Sequence, residues 1–251
     1  IDINSVKKIL EESPKGTYSG IIPVDFAGRA VNMEELKSLA DNWNLWIIED
    51  SCHSPGGYFT KKDGGYSKCG SGEFADLAIF SFHPAKHIAA GEGGMITTND
   101  KTLYKKLLNL RSHGIVKDGS FENSTDFATG IFNSKNYPNW YMEMQTLGYN
   151  YRLSDIQSAL GLSQLKRATQ NLNKRKEIAK RYFKVFKNCN YILGQSAYVD
   201  GHAYHLYVIE VEKRLELYEF LRSFKIYTQI HYIPVHLMPY YRSLGSKVGD
   251  N

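Results

Sequence analysis

The chain has 251 residues, 42% of them apolar, with 31 Lys and Arg against 26 Asp and Glu for a net charge of +5. That length suits one large α/β domain or a large and a small one, and the apolar share is ordinary for a soluble globular chain. The positive charge is mild and scattered, without the basic stripe and interleaved aromatics of a nucleic-acid surface, and no apolar run approaches the roughly 20 residues of a membrane span.

In chain order, Ile3, Val6, Ile9 and Leu10 recur at helical spacing over residues 3–12, and Pro14 and Gly16 close that segment. Gly20–Val24 reads as a strand running into a loop, Asp25–Arg29. Asn32, with Glu35 in the capping-box position, starts a second helix whose buried face is Leu36, Leu39 and Ala40. Leu45–Ile48 is the next strand and ends in Glu49-Asp50-Ser51-Cys52-His53. Strand, helix and strand in this rhythm predict a parallel sheet with helical crossovers, whose ligands bind at the carboxyl ends of the strands. Residues 56–72 are glycine-rich and read as a long loop; their glycines do not sit between a strand and a helix, so no dinucleotide fingerprint is present. Cys52, Cys69 and Cys189 are widely spaced, which indicates neither a disulfide framework nor a metal site and favours a reducing cytoplasm.

The stretch from Ile79 to Met95 is the most informative. Two β-prone runs, Leu77–Phe80 and Met95–Thr98, bracket a loop carrying Ser81, His83 and Lys86 and the flexible Gly91-Glu92-Gly93-Gly94. Lys86 is either a solvated loop lysine or a Schiff-base lysine, an amine kept partly deprotonated so that it can attack a carbonyl. Asp50, His53, Ser81 and Lys86 all fall just after expected strands, at one edge of the sheet. Downstream, Asn99-Asp100 caps a helix to about Leu110, and residues 117–145 read as an irregular aromatic loop with Phe132, Tyr137, Trp140 and Tyr141. Ser154 caps a long helix to about Lys187, with Ile156, Ala159, Leu160, Leu165, Leu172 and Ile178 as its inner face. After Gly194, a strand over His205–Val211, a helix over Leu215–Phe224 and a strand over Tyr227–Tyr232 predict a smaller α+β domain.

Taken in order, Glu49–His53, Phe80–Lys86, Glu92-Gly93-Gly94 and Gly148-Tyr149-Asn150-Tyr151-Arg152-Leu153 resemble the DegT/StrS-type sugar aminotransferases. The resemblance covers nearly the whole chain. It implies a fold-type-I pyridoxal phosphate (PLP) aminotransferase: an α/β large domain with a mostly parallel sheet over residues 1–153, and the long helix with a small α+β domain over 154–251. The family pattern extends beyond both Ile1 and Asn251, so the resemblance also implies that each domain is truncated. Gly148–Leu165 and Gln229–Tyr241 look most like members that make a 4-amino sugar of the pseudaminic acid route, from a UDP-linked 4-keto-6-deoxy-N-acetylhexosamine with glutamate as amino donor. No metal is implied.

Residue by residue, the resemblance implies that Lys86 carries the cofactor, that Asp50 pairs with its pyridine nitrogen, and that His53 lies beside its phenolic oxygen. It makes Ser81 a donor to the cofactor phosphate. Asn150 would reach the phosphate held by a neighbouring subunit, which implies a homodimer with shared active sites. Arg152 is either a partner of charged substrate groups or a structural cap. His231 and Tyr232 lie in a motif stretch as substrate candidates, and His83 and His236 carry no assigned role. Other sugar-nucleotide 3- or 4-aminotransferases fit the same motifs. Two further alternatives are the related sugar 3-dehydratases, in which histidine replaces the Schiff-base lysine, and a non-catalytic fragment that binds a partner subunit.

Overall fold

The computed structural model describes residues 1–117, 121, 137–138, 140–193 and 197–249. By contact the chain divides into two units, one formed by Ile1–Phe186 with Ser196–Val208, the other by Lys187–Gln195 with Ile209–Asn251. The helical segment after Ser154 therefore groups with the first unit.

In the first unit, helix α1 (Ile3–Glu12) starts where the Asp2 side chain accepts the Asn4 N–H. Strand β1 (Gly20–Ile21) is shorter than the expected Gly20–Val24, because Pro23 has no N–H to give the ladder. Pairing resumes at an isolated parallel bridge between Val24 and Asp50. Helix α2 (Met33–Trp43) is capped as expected: the Asn32 side chain accepts the Glu35 N–H. Strands β2 (Trp46–Asp50), β5 (Leu77–Ser81) and β6 (Gly94–Thr97) complete a sheet in the order β1-β2-β5-β6. The β1, β2 and β5 strands are parallel, and β6 returns antiparallel to β5. The fold is α/β with a mostly parallel sheet, as expected. Leu10, Ile21, Val31, Met33, Leu36, Ala40, Leu45 and Ile47 form the core between the helices and this sheet.

Residues 56–72 are not one long loop. Tyr58–Thr60 (β3) and Tyr66–Lys68 (β4) form an antiparallel hairpin. Aromatic and β-branched residues flank Asp63-Gly64-Gly65, and Gly64, at φ +84°, makes the turn that L side chains resist. Helix α3 (Lys101–Arg111) is capped by Asp100, which accepts the N–H groups of Thr102 and Leu103. Short strands β7 (Ile115–Val116) and β8 (Glu143–Met144) pair antiparallel. Most of the expected aromatic loop, Phe132 included, lies outside the described residues.

The expected long helix is two helices, α4 (Asp155–Leu165) and α5 (Ala168–Phe186), broken at Lys166–Arg167. Neither residue is a helix breaker, so the break follows from what each helix faces. Near its start α4 docks on the glycine-rich loop, where Gln157 Nε2 donates to the Glu92 carbonyl. The α5 helix buries Ala179 and reaches residues 204–205 through Arg175. The inner face expected from the sequence is not buried: Ile156, Leu160, Leu165 and Ile178 are exposed.

Two strands expected near the end do not form. Among the described residues of the second unit, only Leu193 and Glu210 make a bridge. Tyr204 takes φ +47°, and Arg175 occupies the carbonyls of Tyr204 and His205 that a ladder would need. Tyr227–Tyr232 has no pairing partner among the described residues, and an unpaired strand is not stable. The expected helix is present as α6 (Arg214–Ser223), followed by the short α7 (Pro239–Ser243). No helix of the described residues is long and apolar enough to cross a membrane.

Candidate active site

The site is built at the carboxyl edge of β2 and β5. Side chains alternate along β2, so Ile47 and Glu49 point into the core and Asp50 faces the other way. Asp50 is tied into the backbone twice: its N–H donates to the Pro23 carbonyl at 2.8 Å and its carbonyl accepts the Asp25 N–H at 3.0 Å. Its carboxylate Oδ1 accepts the Cys52 N–H at 3.0 Å, which orients the group. After β5 the chain turns tightly. The His83 N–H donates to Ser81 Oγ (3.3 Å), the Ala85 N–H to His83 Nδ1 (3.2 Å), and the Lys86 N–H to the His83 carbonyl (2.9 Å). These local bonds explain the residue types of Ser81-Phe82-His83-Pro84-Ala85-Lys86: a hydroxyl and an imidazole close the turn that presents the half-buried Lys86 side chain. His83, which carried no role in the sequence, is thus part of the turn.

Asp50 and Lys86 act on one probe between them, the Cys52 thiol. Burial and the hydrogen bond to Asp50 push that thiol up to about 12, with the Lys86 charge pulling the other way. His53 and Lys86 likewise both act on His87 and His205. Burial holds the His87 imidazole down to about 4, reinforced by the charges of Arg175, His53 and Lys86. Burial holds His205 down to about 3, with His53, His87 and Lys86 adding to it. Asp50, His53 and Lys86 therefore share one electrostatic neighbourhood, and Ser81 ends the strand that leads into it.

Below this edge, Asp25, Glu49 and Cys69 are buried with their ligating atoms within 4.8 Å of one another. Asp25 accepts from Ser54 Oγ (2.6 Å) and the Val31 N–H (2.9 Å), and Glu49 from the Gly70 N–H (2.9 Å). Burial, then the Asp25 charge, pushes the Glu49 carboxyl up to about 7 from its ordinary 4.5. Folded Glu49 thus holds a proton that the unfolded chain has released, so its share of stability is whole below pH 4.5 and lost as pH rises through 7. The full loss corresponds to about 3 kcal/mol. Denaturant unfolding at pH 5 and pH 8 should show this fall in the parent and a flatter profile in Glu49→Gln; equal profiles would remove Glu49 as the titrating group.

The remaining expected residues lie elsewhere. Asn150 bridges Ser112 in an antiparallel pairing, and Tyr149 and Tyr151 stack at 4.8 Å. Arg152 is exposed, and Leu153 packs where a Cβ on Gly93 would sit. None of the hydrogen bonds described for Asn150 or Arg152 reaches Asp50 or Lys86 of the same chain. His231 and Tyr232 lie in the second unit, their rings 4.4 Å apart, with Tyr232 exposed. Sequence reasoning missed His87, His205 and Arg175. Only His87 had a local signal, its place next to Lys86; Arg175 lay in the expected long helix with no assigned role, and His205 read as a strand residue.

Comparison with known proteins bears on the family and the fold. The DegT/DnrJ/EryC1/StrS aminotransferase family profile matches residues 1–250. A Campylobacter jejuni UDP-4-amino-4,6-dideoxy-N-acetyl-β-L-altrosamine transaminase is 38% identical over 90% of this chain and 54% of its own length. Among solved structures, Helicobacter pylori PseC, an aminotransferase of pseudaminic acid biosynthesis, superposes with a TM-score of 0.78 at 32% identity, over 96% of this chain and 60% of that one. Spr1654 of Streptococcus pneumoniae, solved in a PLP form, matches at 26% identity and TM-score 0.73, over 95% of this chain and 61% of that one. The chain spans less than two thirds of the length of each.

Proposed function

Because the chain belongs to the DegT/DnrJ/EryC1/StrS aminotransferase family, we propose that the complete protein is a PLP-dependent transaminase that moves an amino group from glutamate onto a UDP-linked 4-keto-6-deoxy-N-acetylhexosamine. The product is a 4-amino sugar for pseudaminic acid or a related surface glycan. The observation that carries this reading is the Lys86 amine, presented by a closed turn beside an oriented Asp50 carboxylate and the His53 imidazole. The names of the C. jejuni and H. pylori relatives support the substrate class.

The donor set fits the cofactor: an amine for its aldehyde, a carboxylate for its ring nitrogen, an imidazole for its ring oxygen and a hydroxyl for its phosphate. When bound, PLP supplies the electron-withdrawing ring that stabilises a carbanion at the substrate carbon. Lys86 Nζ would hold the cofactor's aldehyde, and as a free amine would carry the proton to and from the substrate carbon. Asp50 keeps a proton on the ring nitrogen, its Oδ1 aimed by the Cys52 N–H. His53 Nδ1 accepts the Ala27 N–H at 3.3 Å, so the neutral ring carries its proton on Nε2 as a donor. Ser81 Oγ donates to the phosphate. A dehydratase would carry histidine at the lysine position; Lys86 favours transamination. In an assay of the complete gene product with glutamate and a panel of 4-keto sugar nucleotides, the UDP-N-acetyl substrate should turn over fastest. A faster rate with another nucleotide sugar corrects the substrate, and no turnover of any with PLP bound sinks the activity.

The active unit is a homodimer with shared sites, in which Asn150 of one chain reaches the phosphate in its mate. Ile156, Leu160, Leu162 and Leu165 of α4 support a partner: Ile156 is 84% exposed and the others are exposed in the single chain. A two-fold interface makes the exchange reciprocal. Mixing the inactive variants Lys86→Ala and Asn150→Ala should therefore restore part of the activity, since one site of each mixed dimer carries neither lesion. A mixture that stays inactive despite proven subunit exchange returns Asn150 to its own chain.

A further inference from the structure

Three imidazoles stand in a row beside Lys86. The rings of His53 and His205 stack with centroids 4.3 Å apart and planes 27° from parallel. His87 lies 5.3 Å beyond, against the same His205 ring. His205 Nδ1 and His87 Nε2 are buried without a hydrogen-bond partner among the described residues. The burial that desolvates His205 and His87 keeps both rings neutral.

The backbone holds this row from both ends. Arg175 Nη1 on α5 donates to the carbonyls of Tyr204 (3.4 Å) and His205 (3.1 Å). The Ala203 and Leu206 N–H groups donate to the carbonyls of Gly28 (2.8 Å) and Ala27 (3.1 Å). Residues 203–206 thus form a strap over the turn Phe26–Gly28, and the Ala27 N–H of that turn donates to His53 Nδ1. Gly28 makes the closure possible. Its φ is +97°, and a Cβ there would lie 2.8 Å from the His53 carbonyl oxygen and 3.0 Å from the His205 nitrogen. A single turn therefore binds His53 by hydrogen bond and brings the strap that carries His205 onto the face of its ring.

We infer that His205 is the positioning residue for His53: clamped by Arg175 and backed by His87, its ring fixes the plane of the His53 imidazole, so that Nδ1 stays an acceptor and Nε2 keeps its proton for an oxygen in the site. The identity of that oxygen as the phenolic oxygen of PLP rests on the function proposed above; the locking of His53 does not. A stacked aromatic neighbour suffices for the role, because the contact is face to face and uses no hydrogen bond from His205 to His53.

The test is ¹⁵N NMR of the histidine side chains in the complete gene product without cofactor, with His53 assigned by loss of its signals in His53→Gln. The parent and His205→Phe should show His53 as a single Nε2–H tautomer, whereas His205→Ala should show a mixture. Arg175→Gln, which loosens the strap without removing the ring, should also give a mixture and decides the matter if His205→Ala does not fold. A single unchanged tautomer in both His205→Ala and Arg175→Gln overturns the inference. In a second arm, PLP affinity followed by absorbance should fall about fivefold in His205→Ala and stay near parent in His205→Phe. A parent that binds no PLP refutes the site reading and leaves the tautomer result to stand or fall by itself. Equal PLP affinity in the parent and His205→Ala counts against the positioning role.

Discussion

Replacing Lys86 with alanine lowers turnover of the complete protein by at least about 10,000-fold, the loss expected when an anchoring amine and a proton carrier go together. The fold should survive, because the turn is held by the His83 and Ser81 bonds and the Lys86 backbone N–H rather than by the Lys86 side chain. Cofactor should still bind, more weakly, through Asp50, His53 and Ser81. Reduction of the parent with borohydride, followed by peptide mass mapping, should place the pyridoxyl group on the Lys86 peptide. Label on another lysine, or none on a protein that binds PLP, removes Lys86 from its role. Lys86→Ala with parental turnover would do the same.

The second large effect is at Asp50. Asp50→Asn keeps a side-chain oxygen that can accept the Cys52 N–H, so the end of β2 should remain in place. If Asp50 pairs with the PLP ring nitrogen as proposed, the amide could not hold a proton there and the ring would withdraw electrons less. We expect turnover to fall about 100- to 1,000-fold, or about 3–4 kcal/mol in the transition state, with a much smaller change in PLP affinity. The split between the two measurements is what matters: a parallel loss of binding and turnover makes Asp50 an anchor only, and near-normal turnover rejects the electron-sink role. Removing the charge beside Cys52 should also let its thiol titrate lower, since Asp50 contributes to its upward shift. Thiol reactivity against pH would register that independently of catalysis.

Much of the site was legible because its chemistry is local in sequence. Asp50 and His53 close one strand, Ser81 and Lys86 follow another, and a parallel sheet puts the carboxyl ends of β2 and β5 on one edge whatever the detail. The helix starts at Asn32, Asp100 and Ser154 were legible for the same reason: each cap is a bond between residues two or three apart. The hairpin over 58–68 was legible in principle, but its glycines outweighed the aromatic and β-branched residues beside them.

What only the tertiary structure decided is whatever depends on a distant partner. Helical periodicity runs through Lys166–Arg167, and the break there comes from docking on residues 92 and 204–205. His205 has strand-like neighbours in sequence, yet Arg175 takes its carbonyl and Gly28 receives its backbone, so it becomes a strap stacked on His53. Glu49 stands beside Asp50 in sequence and differs from it entirely in setting, because β-strand alternation turns one toward the site and buries the other against Asp25. By itself, then, the sequence determined the carboxyl ends of β2 and β5, the helix caps and the polar groups that stand at that edge. Burial, stacking and the charge each group feels were left to the folded chain, because those depend on contacts between residues far apart in sequence that no local pattern records.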